Sequence, residues 1–169
     1  MRYLINNGPM QTTAATPSVT TGTAIKTLLQ VKPGPTTVLK IIEWGISFDG
    51  FASAAPGKVE LVETDVAATV TAFVSSGITK YDATALLAGD PVTALIEVGT
   101  AATGYTASVE GTITATRNLD GPQLIAPTNQ FIKQFPLGTE PIIQLGKFGR
   151  IRVTFAAAIN AYCYMVVEV

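Results

Sequence analysis

The chain has 169 residues, 47% hydrophobic and 14% charged, with 11 basic and 12 acidic side chains and a net charge of −1. That length suits one domain with a substantial core, and so even a balance, without blocks of like charge, argues against nucleic acid or an anionic membrane as partner. There is no histidine and one cysteine, Cys163, which removes the commonest general base and metal ligand, any cysteine-based zinc cluster and any intrachain disulfide.

Met1 to Thr23 are rich in Asn, Thr, Gly and Pro, and Met1 to Ala15 lack an apolar secretory core. They read as an extended or irregular N-terminal arm with at most a short edge strand. Ala24 to Val31 are the first strand, stopped by Lys32-Pro33-Gly34-Pro35. Val38 to Asp49 form the second, with Val38, Ile42, Trp44, Ile46 and Phe48 at even positions and Lys40 as the exception, so Trp44 is expected in the core. Gly45 within it marks a bulge or a close approach by another backbone. After a loop at Gly50 to Gly57, Lys58 to Asp65 make a strand with Val59 and Leu61 inward.

Ala67 to Ser76 favour a strand by residue type but also admit a loop or helical turn, and Gly77 to Tyr81 suit a short strand. Asp82 to Ala88 are the one plausible helical turn, with Asp82 as N-cap. Thr106 to Arg117 alternate Thr, Ser and Glu with Ala, Val, Gly and Ile, which predicts a strand with a threonine ladder on its wet face. Asn118 to Pro127 read as a loop, Gln130 to Phe135 as a strand, and Leu137 to Lys147 as a long connection. Arg150 to Phe155 alternate strictly, and Ala161 to Val169 are apolar on both faces, so the chain is expected to end in a hairpin whose return strand is central.

The sum is an all-β chain: an antiparallel, jelly-roll-like β-sandwich of about eight strands with minimal helix, made of an arm (1–23) and a single domain (24–169). A closed barrel with a ligand cavity is the structural alternative. The uncharged runs Val66 to Thr79 and Val153 to Val167 fall short of a membrane span, so a soluble protein is expected. A surface of Thr, Ser, Gly and Ala is cheaply desolvated, which favours an oligomer or a docked subunit.

Catalytic patterns are missing from the sequence: there is no phosphate-binding glycine loop and no nucleophile elbow. Cys163 reads as a small buried apolar residue. Glu63 and Asp65 share a strand face and could hold a hard cation such as calcium. Tyr162 and Tyr164 share a face of the last strand, as core, as subunit contact or as a carbohydrate platform. Arg150 and Arg152 flank one face and would pair across an interface or remain solvated.

Two segments resemble a known group. Phe131 to Pro141 (FIKQFPLGTEP) and Arg150 to Glu168, preceded by a TGTxI-like start at Thr21 to Ile25, are similar to small jelly-roll head proteins of tailed bacteriophages that decorate or cement a capsid. The resemblance implies a non-catalytic virion protein, without cofactor or metal, made in the host cytoplasm and carried on the outer capsid surface. It would be a homotrimer holding neighbouring copies of the major capsid protein together. Under it, Met1, Arg2, Tyr3, Leu4, Ile5 and Met10 of the arm are the expected capsid contacts, and Tyr162, Tyr164, Arg150 and Arg152 the expected subunit interface. The alternative is a virion-displayed jelly roll that recognises a host-surface glycan.

Overall fold

Period-two alternation decides which side chains meet in the computed structural model, which describes residues 1–13, 15–16, 18–49, 55–74, 77–81, 95–126 and 130–169. The described strands, in chain order, are β1 (Arg2–Asn6), β2 (Val19–Thr20), β3 (Lys26–Val31), β4 (Leu39–Asp49), β5 (Gly57–Thr64), β6 (Thr69–Ala72) and β7 (Thr79–Lys80). They continue with β8 (Gly104–Val109), β9 (Thr116–Asp120), β10 (Gln123–Leu124), β11 (Phe131–Gln134), β12 (Ile142–Ile143), β13 (Phe148–Thr154) and β14 (Asn160–Glu168).

Their antiparallel pairings are nested. β1 pairs β14, β3 pairs β13, β4 pairs β11 and β12, and β5 pairs β9 and β10. The chain is therefore one long hairpin with its tip between β5 and β9. Rolling it up sets β14 beside β4 and β13 beside β5. The result is two sheets, β11-β4-β14-β1-β7 and β10-β5-β13-β3-β8-β6. That winding is a jelly roll, an antiparallel β-sandwich as expected.

The core lies between the sheets. Ala161, Cys163, Met165 and Val167 of β14 face Ile151 and Val153 of β13 and Leu29 and Val31 of β3, all buried. Each fully buried aliphatic side chain contributes about 1.5–3 kcal/mol relative to exposure. Trp44 is fully buried, meets Phe131 in a tilted ring contact at 5.2 Å and donates its indole N–H to Asp120 at 3.2 Å. Lys40 is an exception to the β4 pattern because the register slips there: Val166 pairs Glu43 but Val167 pairs Ile41. Leu39 and Ile41 point inward before the slip, and Trp44, Ile46 and Phe48 after it.

Four expectations are corrected. The terminal hairpin does not form: β14 is central as predicted, but β13 belongs to the other sheet. Both strands carry an apolar face, and placing them across the core buries both, with Phe155 and Ile159 filling the corner. The start of the arm is a core strand, since β1 lies between β14 and β7 and buries Tyr3 and Ile5 completely. Asn7 extends that pairing: its side chain accepts from the Cys163 amide at 2.9 Å and donates to the Ala161 carbonyl at 3.0 Å. Thr106 to Arg117 are not one strand, because β8 ends at Val109, Gly111 takes a left-handed backbone (φ 74°) and regular pairing resumes only with β9. The predicted loop at Asn118 to Pro127 contains the end of β9 and all of β10. The helical turn expected at Asp82 to Ala88 lies outside the described residues.

Candidate functional site

The outer face of the first sheet follows from the inward set of β14. With Cys163 and Met165 inside, Tyr162, Tyr164, Val166 and Glu168 face out. Tyr164 has Gly45 of β4 on one side and Asn6 of β1 on the other. The missing side chain at Gly45 lets the Tyr164 ring lie on the β4 backbone; a Cβ there would meet Tyr164 Cε1 at 2.5 Å. The Tyr164 hydroxyl donates to Glu43 Oε1 at 2.7 Å, and Asn6, whose Oδ1 accepts the Gly8 amide at 3.2 Å, lies close enough to Tyr162 to favour its ionised form. The two rings stand 6.3 Å apart, tilted by 36°.

Tyr81, which follows β7 and donates its amide to the Arg2 carbonyl, is exposed and within electrostatic reach of both rings. Burial raises both phenols above the ordinary tyrosine value, and for Tyr164 the Glu43 carboxylate adds to it. The rings are therefore neutral at physiological pH. Charge gathers at one end of the face, where Glu168 takes Arg2 Nε at 2.8 Å and Lys40 Nζ at 3.7 Å.

The edge of the same sheet is aliphatic. Ile132 of β11 (49% exposed), Leu137 (92%), Ile142 of β12 (37%) and Leu145 (48%) all reach solvent. Leu137 sits on a turn closed by the Thr139 amide and hydroxyl, which donate to the Pro136 carbonyl at 2.9 and 2.8 Å. Both ends of the turn are tied to the β4 slip, through Phe135 N–H to Ile42 O and Ile41 N–H to Pro141 O, each 2.9 Å.

The arginines lie on the opposite, outer side of the second sheet, so they do not join the tyrosines in one surface. Arg152 pairs Glu60 at 2.8 Å. Arg150, expected to be solvated or at an interface, is wholly buried: the chain between β5 and β9 folds over it. Its guanidinium donates to the carbonyls of Val66 and Glu110 and meets the Glu110 carboxylate at 3.5 Å, while its Nε finds no partner. Burial pulls its pKa down to about 10, opposed by Glu110, which leaves it charged at neutral pH. The same Glu110 carboxylate accepts the Thr27 amide and hydroxyl, each at 2.6 Å.

Glu63 and Asp65 have separate partners. Glu63 takes Arg117 and the Gln144 amide, both at 3.0 Å. Asp65 accepts the Thr114 hydroxyl and the amides of Thr114 and Ala115, and that hydroxyl above all holds its carboxyl down at about 2. Both line a groove of about 160 Å³ with Arg117 and Lys147. No group of three metal-ligating side chains occurs among the described residues. Cys163 is fully buried, and burial raises its thiol far above the usual range.

Of the expected arm contacts, Tyr3 and Ile5 are core, Leu4 is half-buried on the tyrosine face, and Arg2 pairs Glu168. Met1 bonds Val169 through its ammonium group, and Met1 and Met10 are exposed. Sequence reasoning singled out Gly45 and the two tyrosines but not Asn6, Glu43, Tyr81 or Leu137. The signal for Leu137 was the Pro-Leu-Gly turn, which places an apolar side chain where the chain must be on the surface.

No family model matches this chain, nor does any curated protein or any solved structure.

Proposed function

We propose that this chain is a non-catalytic structural protein of a virion, which decorates a tailed-phage capsid from outside and cements neighbouring major capsid protein subunits. One observation carries the reading. The phage-like segment Phe131 to Pro141 forms the exposed aliphatic edge of the first sheet, with Leu137 held 92% exposed on a hydrogen-bonded turn. A fixed apolar knob loses little entropy on docking, and burying one leucine contributes roughly 1.5–3 kcal/mol, about 10- to 100-fold in affinity. A surface with few ions to desolvate and a resemblance extending through Arg150 to Glu168 support the same reading. The main capsid contact moves from the arm, whose Tyr3 and Ile5 are committed to the core, to the β11–β12 edge. Met1 and Met10 are secondary contacts, and the working unit is a homotrimer.

The test is co-sedimentation with empty heads of the parent phage, paired with a mass measurement in solution. The chain is expected to bind heads and Leu137→Asp to lose binding with its unfolding midpoint unchanged. A chain that ignores heads refutes the cement role. Unaltered binding by Leu137→Asp refutes the assignment of the contact to this edge, and a monomeric mass refutes the trimer.

A further inference from the structure

We propose that the outer face of the first sheet is a binding site for a neutral hexopyranose glycan, with Tyr164 and Tyr162 as a stacking platform and Asn6, Glu43 and Tyr81 as its polar rim. The rings come first. Tyr164 is pressed on the β4 backbone at Gly45 and fixed through its hydroxyl to Glu43; Tyr162 stands beside it, with ring centroids 6.3 Å apart. A ring already held in place surrenders little freedom when a ligand arrives. Its π-face is electronegative, which suits the C–H-rich face of a pyranose. The 6.3 Å between ring centroids is on the scale of one sugar residue, so adjoining sugars can use adjoining rings.

The rim supplies what sugar hydroxyls require. The Asn6 amide, the Glu43 carboxylate and three phenol hydroxyls provide both donors and acceptors within one patch. Charge decides the ligand class. Arg2 and Lys40 share the single carboxylate of Glu168 at the far end of the face, no cation stands beside the two rings among the described residues of β1, β4 and β14, and Lys80 of β7 pairs with Tyr3, whose side chain is buried in the core. A phosphate-bearing polymer or an acidic segment would meet the Glu43 carboxylate beside the rings and reach Arg2 and Lys40 only at the far end of the face, and an apolar helix would have to strip Glu43 and Asn6 of water without replacing it. A neutral polyol meets neither obstacle.

The site stands apart from the capsid reading and uses a different part of the sheet, so the two can fail separately. The test is calorimetric titration of the full chain with hexasaccharides of glucose (α- and β-linked), N-acetylglucosamine, mannose, galactose and rhamnose. At least one is expected to bind, and Tyr164→Ala and Tyr162→Ala are each expected to weaken it by about tenfold or more. Tyr164→Phe, which keeps the ring but loses its hydroxyl bond to Glu43, is expected to weaken binding less than Tyr164→Ala does. Gly45→Ala, which pushes the ring off the strand without emptying the site, serves if an alanine variant misfolds, and is expected to weaken binding. The proposal is overturned if no sugar binds at about 10 mM, or if binding survives loss of both rings. It is also overturned if Tyr164→Ala changes only the solution mass, which would make this face a contact between copies.

Discussion

Alanine at two glycines of this fold should have unequal consequences for stability, and the contrast probes whether the Tyr164 ring is surface or core. At Gly57, the added Cβ would overlap Cε1, Cδ1 and Cζ of Phe155. That ring is 2% exposed and packed edge-on against Phe48 at 5.1 Å; it cannot move without opening the corner between the sheets. Overpacking of this kind costs about 3 kcal/mol. At Gly45 the added Cβ meets the far end of Tyr164, which can swing outward. The cost is then the hydrogen bond to Glu43, about 1.5 kcal/mol, offset by about 0.5–1 kcal/mol from replacing glycine within a strand. Gly45→Ala should lose about 1 kcal/mol or less, so the two variants should differ by about 2 kcal/mol, or ~4–8 °C in Tm for a chain of this size. Urea unfolding followed by the fluorescence of the single, buried Trp44 measures both. Spectrophotometric titration should show the Tyr164 phenol returning toward its ordinary value in Gly45→Ala, since burial and the Glu43 bond raise it. Equal losses, or a Gly57→Ala variant within about 1 kcal/mol of wild type, would refute the reasoning.

Three further outcomes follow from other parts of the molecule. Asp65 has a folded carboxyl near 2 against an ordinary 3.8, so its contribution is complete above 3.8 and is lost as pH falls through about 2. Asp65→Asn should lower stability at neutral pH and flatten the stability curve across that window, as read from thermal melts at stepped pH. Arg150→Met should cost about 3 kcal/mol in urea, because the Val66 and Glu110 carbonyls lose their buried donor; a neutral effect would show that water can replace the guanidinium. Cys163 should resist a thiol reagent until the protein unfolds, and Cys163→Ser should cost about 1–3 kcal/mol by burying an unmatched hydroxyl.

Alternation made β4 and β5 legible in the sequence, and an apolar run made β14 legible, along with the burial of Trp44 and Cys163; a close approach at Gly45 was expected from a backbone and is made by the Tyr164 ring. It tells which side chains point inward; it does not tell which strand lies alongside. For that reason β13 and β14 read as a hairpin although they face each other across the core, and β1 read as an arm although Tyr3 and Ile5 complete the first sheet. The shared face of Tyr162 and Tyr164 was equally legible, but its place on the outside depends on the register of three strands distant in sequence. Arg150 was misjudged for a related reason: the backbone that covers it comes from Val66 and Glu110, 84 and 40 residues away.

The two outer faces are not equivalent, and they differ in how much hydrogen-bonding capacity they leave to a partner. On the second sheet, the chain between β5 and β9 folds back over β3 and β13 and is held by polar clamps. Gln30 bonds the Ala68 amide and carbonyl at 2.8 and 3.2 Å, Arg150 reaches Val66, Glu110 caps Thr27, and Asp65 holds Thr114 and Ala115. These side chains use their hydrogen-bonding capacity within the fold and offer little of it to a partner. On the first sheet none of the described strands covers the tyrosines or the Leu137 turn, and both recognition surfaces proposed above lie there. The division is testable at Thr27. Thr27→Val keeps the side chain's shape but takes one donor from Glu110, which should cost about 1–2 kcal/mol and leave head binding and glycan affinity within about twofold. If Thr27→Val impaired either binding as strongly as the substitutions on the first sheet, the clamped sheet would have to be part of the recognition surface.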